Sequence, residues 1–390
     1  MKLYNTLSQS IETFKPLNDE VTLYVCGITP YDTTHLGHAF TYTAFDVLYR
    51  FLEFQGYKIN YTQNITDVDD DLLKRAKRDN QDWKELGKIW TDKYVGDMKT
   101  LNNIPPTHYV KATETMPTIL TIIEKLVKDG YTYENNGNVY FEVAKDPSYG
   151  KLSKYTREQM LQLAPERGAD INDSQKKDPL DFILWQKSLP DEPTWDSPKI
   201  GKTYLPAGRP GWHIECSAMA YKYLGKKVDI HGGGGDLRYP HHESEIVQSE
   251  NFTGQKPFVS YWMHTGAVMY EGEKMSKSLG NLIMVSDLLN AYSPNAIRYL
   301  LLSHHYRKPW EYIRTELDEA ARKTISIETL LQTVSQANKI DQEEIQDAID
   351  TLSNDLDTPN TLTMLDELLT RNKVAEAKKL WDVLGFISRS

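Results

Sequence analysis

Hydrophobic and polar positions along the chain follow two alternating periods. Val21-Thr22-Leu23-Tyr24-Val25-Cys26-Gly27 is a short apolar run ending at a glycine and predicts a buried strand. Apolar residues then recur at helical spacing over 36–55, and Gly56 supplies the stop. Residues 58–63 alternate as a strand does, and residues 82–100 return to helical spacing. Strand and helix in alternation predict an α/β fold built on a Rossmann-like, doubly wound parallel sheet.

The alternation loosens after about residue 112. A predicted helix over 117–128 leads into a segment with hairpin character at 131–143. The stretch 145–210, with many Pro, Asp and Lys residues, reads as an insertion between two halves of the sheet. The α/β pattern resumes with a strand over 227–231 that runs into Gly232-Gly233-Gly234-Gly235. A helix from about His241 and a strand over 258–264 follow. From Glu316 onward the pattern is helical. Ile327, Leu330, Leu331 and Val334 share one spacing, and Ile345, Ala348, Ile349 and Leu352 another. The expected organisation is a first half of the Rossmann-like α/β domain at 1–115, a connective insertion at 116–210 and a second half at 211–265. A loop-bearing region at 266–312 and a C-terminal α-helical bundle at 313–390 complete it. No internal repeat or low-complexity tract is evident.

Composition narrows the class. The chain has 390 residues, enough for two or three domains, with 39% hydrophobic and 26% charged residues, as in globular proteins. No apolar stretch is long enough for a membrane span, and the first residues lack a signal peptide's apolar core; a cytoplasmic protein is expected. A net charge of −10 is not the footprint of a strongly basic nucleic-acid binder. No DNA partner is expected, while a local basic patch leaves room for RNA. Residues 311–390 carry nine basic and sixteen acidic side chains, which suits a supporting bundle with a solvated outer face.

Three groups of residues carry chemistry. His35-Leu36-Gly37-His38 stands just after the first strand, at the start of the first helix. A helix N-terminus at the carboxyl edge of a parallel sheet favours phosphate, and Gly37 lets a nucleotide approach the backbone. Lys274-Met275-Ser276-Lys277-Ser278, followed by Leu279-Gly280-Asn281, places two lysines and two serines in a glycine-flanked loop suited to a triphosphate. The third group gathers Cys26, Gly211-Trp212-His213-Ile214-Glu215-Cys216 and Pro240-His241-His242-Glu243-Ser244-Glu245. Thiolate, imidazole and carboxylate are ligand types that zinc takes in tetrahedral sites. His241 and Glu245 are four apart on a predicted helix, and His242 and Glu245 three apart, so spacing alone leaves the choice of histidine open.

The first two groups, in this order, resemble the HIGH and KMSKS motifs of class I aminoacyl-tRNA synthetases; the second matches letter for letter. The third, with Asn64-Ile65-Thr66-Asp67-Val68-Asp69-Asp70, Asp181-Phe182-Ile183-Leu184-Trp185 and His304-His305-Tyr306-Arg307, resembles the cysteinyl-tRNA synthetase family up to about residue 307. The resemblance implies one Zn2+ per chain for substrate recognition, held by Cys26, Cys216, His241 and Glu245, and Mg2+ with ATP. It implies that His35 and His38 stabilise charge at the α-phosphate and that Lys274 and Lys277 hold the leaving pyrophosphate. Gly37, Gly233, Asp236, Met275, Ser276 and Ser278 would complete the ATP site. Gly27, Thr66, Trp212 and His231 would surround the cysteine. Implied partners are ATP, L-cysteine and tRNA(Cys).

The mycothiol cysteine ligase, which joins cysteine to the amine of a glucosaminyl inositol, is a related family. Cys26-Gly27-Ile28-Thr29-Pro30-Tyr31-Asp32 and Asp355-Leu356-Asp357-Thr358-Pro359 resemble it. The chain also ends after one helical region, where synthetases usually add an anticodon-binding domain. Glu245 and Asp146-Pro147-Ser148-Tyr149-Gly150-Lys151-Leu152-Ser153 resemble the synthetase instead. A third reading, an inactive RNA-binding or regulatory relative, conflicts with intact motifs. The synthetase is the expected function, with recognition of the tRNA resting on its acceptor stem.

Overall fold

The computed structural model describes residues 1–200, 203–275, 279–332 and 340–388. Ser276, Lys277, Ser278 and Val334 lie outside the described residues. The chain opens with an antiparallel hairpin, β1 (Lys2–Asn5) and β2 (Ser10–Thr13), followed by β3 (Glu20–Ile28), α1 (Leu36–Phe54) and β4 (Lys58–Ile65). Helices α2 (Asp70–Arg78) and α3 (Trp83–Thr100) lead to β5 (His108–Lys111) and α4 (Met116–Lys128). A second sheet begins with β6 (Thr132–Asn135) and β7 (Asn138–Phe141). After α5 (Arg157–Leu163) it continues in β8 (Phe182–Lys187); β9 (Lys199–Ile200) and β10 (Thr203–Tyr204) then form a separate small ladder before β11 (Gly208–Pro210) rejoins the second sheet. Then come α6 (Trp212–Leu224), β12 (Val228–Gly234), α7 (Glu243–Thr253) and β13 (Val259–Thr265).

The central sheet runs β13-β12-β3-β4-β5, and its neighbours pair in parallel. The second sheet, β11-β8-β7-β6, is antiparallel. Beyond β13, β14 (Val268–Tyr270) and β15 (Glu273–Lys274) form a hairpin. Helices α8 (Val285–Leu289) and α9 (Pro294–Leu302) follow, and β16 (Trp310–Glu311) returns to pair with β14. The chain finishes in α10 (Arg314–Leu331), α11 (Gln342–Ser353), α12 (Thr358–Thr370) and α13 (Val374–Val383). No described helix is long and apolar enough to cross a membrane.

Strand alternation divides the interior in two. Val21, Leu23 and Val25 of β3 join a core with α1, α9 and the terminal helices. Tyr24 and Cys26, one step out of phase, face the opposite core, made by α4, α6, α7 and the second sheet. Successive strand side chains point to opposite faces, so the period of the sequence sends Cys26 towards α6 and α7. Trp262 lies in that same core, while Ile230 and Met263 lie in the other.

Three expectations shift in detail. The strand predicted over 227–231 extends through the glycines to Gly234, because Gly232, Gly233 and Gly234 keep pairing with Met263, His264 and Thr265. Regular helix starts at Glu243 rather than His241, since Tyr239 is extended (φ −142°, ψ 138°) and a wide turn fills 238–242. Leu330 is exposed, whereas Ile327 and Leu331 are buried. The apolar stripe of α10 is therefore narrower than its spacing suggests.

Candidate metal centre and nucleotide site

Four strand and helix ends meet behind β3. Cys26 comes from the end of β3, Cys216 from the second turn of α6, His241 from the wide turn after β12, and Glu245 from the first turn of α7. One donor atom from each lies within 4.8 Å of the others, and all four side chains are buried. His241 Nε2 is 3.2 Å from Glu245 Oε1, and Cys26 Sγ is 3.7 Å from the same oxygen. Metal–ligand bonds of about 2.0–2.3 Å in a tetrahedron put donor atoms about 3.3–3.8 Å apart, so the measured separations fit a small tetrahedral ion. The helical spacing of four between His241 and Glu245 brings their side chains together across the start of α7.

A second set of donors overlaps the first. Cys26, His231, His242 and Glu245 also lie within 4.8 Å of one another. His231 Nε2 sits 3.0 Å from Glu245 Oε2, and His242 Nε2 is 3.2 Å from Cys26 Sγ and 3.9 Å from Glu245 Oε1. His241 and His242 thus both reach the centre, as their spacings allowed.

Burial dominates the electrostatics. It pushes the Cys26 thiol and the Glu245 carboxyl up, and the His241 and His242 imidazoles well down. The Cys26 thiolate and the Glu245 carboxylate are therefore penalised unless a cation shares the space. A dication among two thiols, an imidazole and a carboxylate compensates the charge that burial disfavours, and the residues present fit one.

Outer contacts orient the histidines. His241 Nδ1 is 2.9 Å from His213 Nδ1, and Trp212 stacks on the His241 ring with centroids 4.4 Å apart. His242 Nδ1 is 2.8 Å from His264 Nε2, and His264 Nδ1 is 2.8 Å from Thr6 Oγ1. His213, His231 and His264 are each held down to about 3 by burial, hence neutral. A neutral outer imidazole or hydroxyl that fixes a ligand's second ring nitrogen also fixes its tautomer. The sequence offered His242 as an alternative to His241 by spacing, while it assigned no role to His213 or His264. The signal for His264 was its place at the C-terminal end of a parallel strand, in register with Gly233.

The residues expected around a cysteine converge on one edge of this centre. Asn64 Oδ1 accepts from the Gly27 N–H at 2.8 Å and from the Tyr24 hydroxyl at 3.2 Å, while Asn64 Nδ2 donates to Thr66 Oγ1 at 3.1 Å. A Cβ on Gly27 would stand 1.7 Å from the Asn64 carbonyl oxygen, so only glycine lets the ends of β3 and β4 approach. His231 is wholly buried between Tyr24 and Trp262, with centroids at 4.7 and 4.4 Å, and it faces Glu245. Thr66 and Gly27 stand at the strand ends, and Trp212 covers the His241 side.

The His35-Leu36-Gly37-His38 turn lies against the segment beyond the lysine loop. His35 caps α1: its Nδ1 accepts from the Gly37 N–H at 3.1 Å, and its own N–H donates to His38 Nδ1 at 3.4 Å. The rings of His35 and His38 lie 3.7 Å apart between centroids. The segment that follows the lysine loop is stitched to this cap. Leu36 N–H donates to the Ile283 carbonyl at 2.8 Å, and Val285 N–H to that of Thr34 at 2.9 Å. Lys274 reaches Asp236, just beyond the glycine run, in a 2.9 Å ion pair. Met275 is buried against the core that includes α1.

Comparison with known proteins agrees with this architecture. A family model described as the tRNA synthetases class I (C) catalytic domain matches residues 13–322. A curated cysteine--tRNA ligase of Methanococcus maripaludis is 46% identical over 336 residues, covering 86% of this chain and 68% of the relative. That of Thermodesulfovibrio yellowstonii is 45% identical over 353 residues, covering 89% and 69%. That of Dehalococcoides mccartyi is 43% identical over 378 residues, covering 94% and 80%. Among solved structures, Mycobacterium tuberculosis methionyl-tRNA synthetase in complex with methionyl-adenylate superimposes with a TM-score of 0.64 at 14% identity, over 93% of this chain and 84% of that one, which shows a shared fold. With its parallel sheet, a family model that matches most of its length and relatives this similar, the chain belongs to the cysteine--tRNA ligase family of class I tRNA synthetases.

Proposed function

We infer that the protein activates L-cysteine with ATP and passes it to the 3′ end of tRNA(Cys). The observation that carries this reading is the buried Cys26–Cys216–His241–Glu245 tetrad at the same sheet edge as the His35 cap and the Lys274 hairpin. Two sulfurs, one imidazole and one carboxylate suit zinc, and His241 with His213 behind it is our choice over His242 as the ligand. When bound, zinc supplies a thiophilic Lewis acid that prefers the substrate's sulfur to the hydroxyl of serine.

The chain's own residues do the rest. Gly27, Thr66, Trp212 and His231 shape the pocket for the amino acid. Gly37, Gly233, Asp236 and Met275 border the nucleotide, along with Ser276 and Ser278. The carboxylate oxygen of cysteine bonds to the α-phosphorus of ATP as the bond to the β-phosphate oxygen breaks, and pyrophosphate leaves with its Mg2+. His35 and His38, at the N-terminus of α1, donate to the α-phosphate oxygens where charge builds. Lys274 and Lys277 neutralise the departing pyrophosphate. Positioning and electrostatics supply the catalysis, and the ribose hydroxyl of the tRNA end then displaces AMP. The place of this reaction is the cytoplasm, where tRNA, ATP and reduced thiols coexist.

Incubation with ATP and labelled cysteine, offered tRNA(Cys) or glucosaminyl inositol separately, tests the reading. Label is expected on the tRNA. Label on the sugar amine and none on tRNA would overturn the acceptor, and equal pyrophosphate exchange with serine would overturn the zinc-thiolate basis of selection.

A further inference from the structure

The segment His304-His305-Tyr306-Arg307 and the turn Asp355-Leu356-Asp357-Thr358-Pro359 supply no residue to the metal tetrad or the nucleotide elements, yet the fold joins them. Asp355 lies in the turn between α11 and α12 at φ +63°, and Leu356 follows at +53°. Two successive non-glycine residues in the left-handed region are disfavoured by contacts of Cβ with the backbone, so neighbours must hold them there. Leu356 does so by burial in the main core, and Asp355 by its side chain, which is 2% exposed.

That carboxylate gathers three parts of the chain. Oδ1 accepts from the Tyr4 N–H of β1 at 2.8 Å and from the Tyr306 hydroxyl at 2.7 Å. Oδ2 accepts from Arg307 Nε at 2.6 Å and lies 2.6 Å from Nη2 in the same ion pair, and the guanidinium lies over the Tyr4 ring at 4.3 Å. A charge-assisted hydrogen bond of this kind is short and strong, and the Tyr4 ring below the guanidinium limits its direction. His305 Nε2 is 3.7 Å from Oδ2.

From there the contacts lead to the lysine hairpin. The Tyr306 carbonyl accepts from the Gly266 N–H at 2.7 Å, the Ala267 carbonyl accepts from Trp310 N–H at 3.1 Å, and the Met269 carbonyl from Tyr312 N–H at 2.8 Å. A Cβ on Gly266 would stand 2.3 Å from the Lys308 carbonyl group, so the two backbones are in direct contact. β14 then pairs β15, with Met269 opposite Lys274, and Met275 N–H donates to the Val268 carbonyl at 3.1 Å.

We propose that Asp355 is a positioning residue for the ATP chemistry: through Tyr306 and Arg307 it sets the hairpin that presents Lys274, making the helical bundle part of the catalytic apparatus. The inference rests on the reading of Lys274 as a pyrophosphate-holding residue. Asn at 355 tolerates the left-handed backbone and keeps an acceptor for Tyr4 and Tyr306, while removing the charge that Arg307 needs.

The test is cysteine-dependent pyrophosphate exchange with the full chain, with active sites counted by the burst of adenylate formation. Asp355→Asn should lower kcat per active site about tenfold and leave KM for cysteine within about twofold, because the lost alignment acts on the separating phosphates. Arg307→Lys, which keeps the charge but not the planar guanidinium that donates through Nε and stacks on Tyr4, should lower kcat in the same direction by less. A purely structural role would reduce the count of active sites or the thermal midpoint and spare kcat per site. Unchanged kcat per site in both variants, or in Arg307→Lys alone if Asp355→Asn is insoluble, overturns the proposal. Absence of exchange in the parent protein would instead overturn the functional reading itself.

Discussion

His241 and His242 are adjacent, both buried and both within reach of Glu245, so their roles separate only through what holds their other nitrogens. His241 leans on His213 and Trp212, and its free Nε2 points at Glu245. His242 is held between His264 and the Cys26 sulfur. If His241 is the ligand, His241→Asn should lose most of its zinc, and His242→Asn should retain it while binding cysteine less well. Elemental analysis of the purified variants checks this, with losses of about 10–100-fold in metal affinity expected from an outer-contact change and more from a lost ligand. The reverse order would assign the metal to the overlapping set of Cys26, His231, His242 and Glu245.

At the scale of elements, the site depends on how closely two parallel strands can end together. β3 and β4 run in register from Glu20 opposite Lys58 to Val25 opposite Gln63, and the register then shifts before Ile28 pairs Ile65. Asn64 fills the irregularity by accepting from the Gly27 N–H and the Tyr24 hydroxyl. Asn64→Ala would leave the Gly27 donor and the buried Tyr24 hydroxyl without that acceptor. A cost of about 1–3 kcal/mol is expected, read from the urea midpoint. KM for cysteine should rise as well, since Gly27 and Thr66 lose their common anchor. Periodicity located both strands, but it cannot register a side-chain bond between their ends. For the same reason the regular helix after β12 begins two residues beyond the expected His241: the chain turns more widely over 238–242 before it tightens at Glu243.

Across the whole molecule, the terminal helices and the catalytic sheet share one core, and a buried arginine ties them together. Arg298 of α9 is 1% exposed. Its guanidinium pairs with Asp46 of α1 and donates to the carbonyls of Leu384 at 2.7 Å and Leu101 at 3.0 Å, and to Asn103 Oδ1 at 2.9 Å. Arg298→Met removes the partner of a buried carboxylate and should cost about 3–5 kcal/mol, measured by denaturation, with α13 the first element to lose amide protection. Nothing in the sequence marked this pair: Asp46 and Arg298 are 252 positions apart, and each sits in an ordinary helical pattern. What the sequence determined by itself was local. Periods of two and of three to four residues placed the main strands and helices, and residue types at short spacing pointed to phosphate and to a metal. Only the tertiary structure decided which side chains share a space, because that depends on strand order, on close approach at Gly27 and Gly266, and on burial. It brought His231 and His242 up to Glu245 beside the expected tetrad, gave His213 and His264 their work, and placed Asp355 behind the lysine hairpin. Contacts between residues hundreds of positions apart arise when buried polar groups must find partners inside a packed core, and no short window of the chain records that requirement.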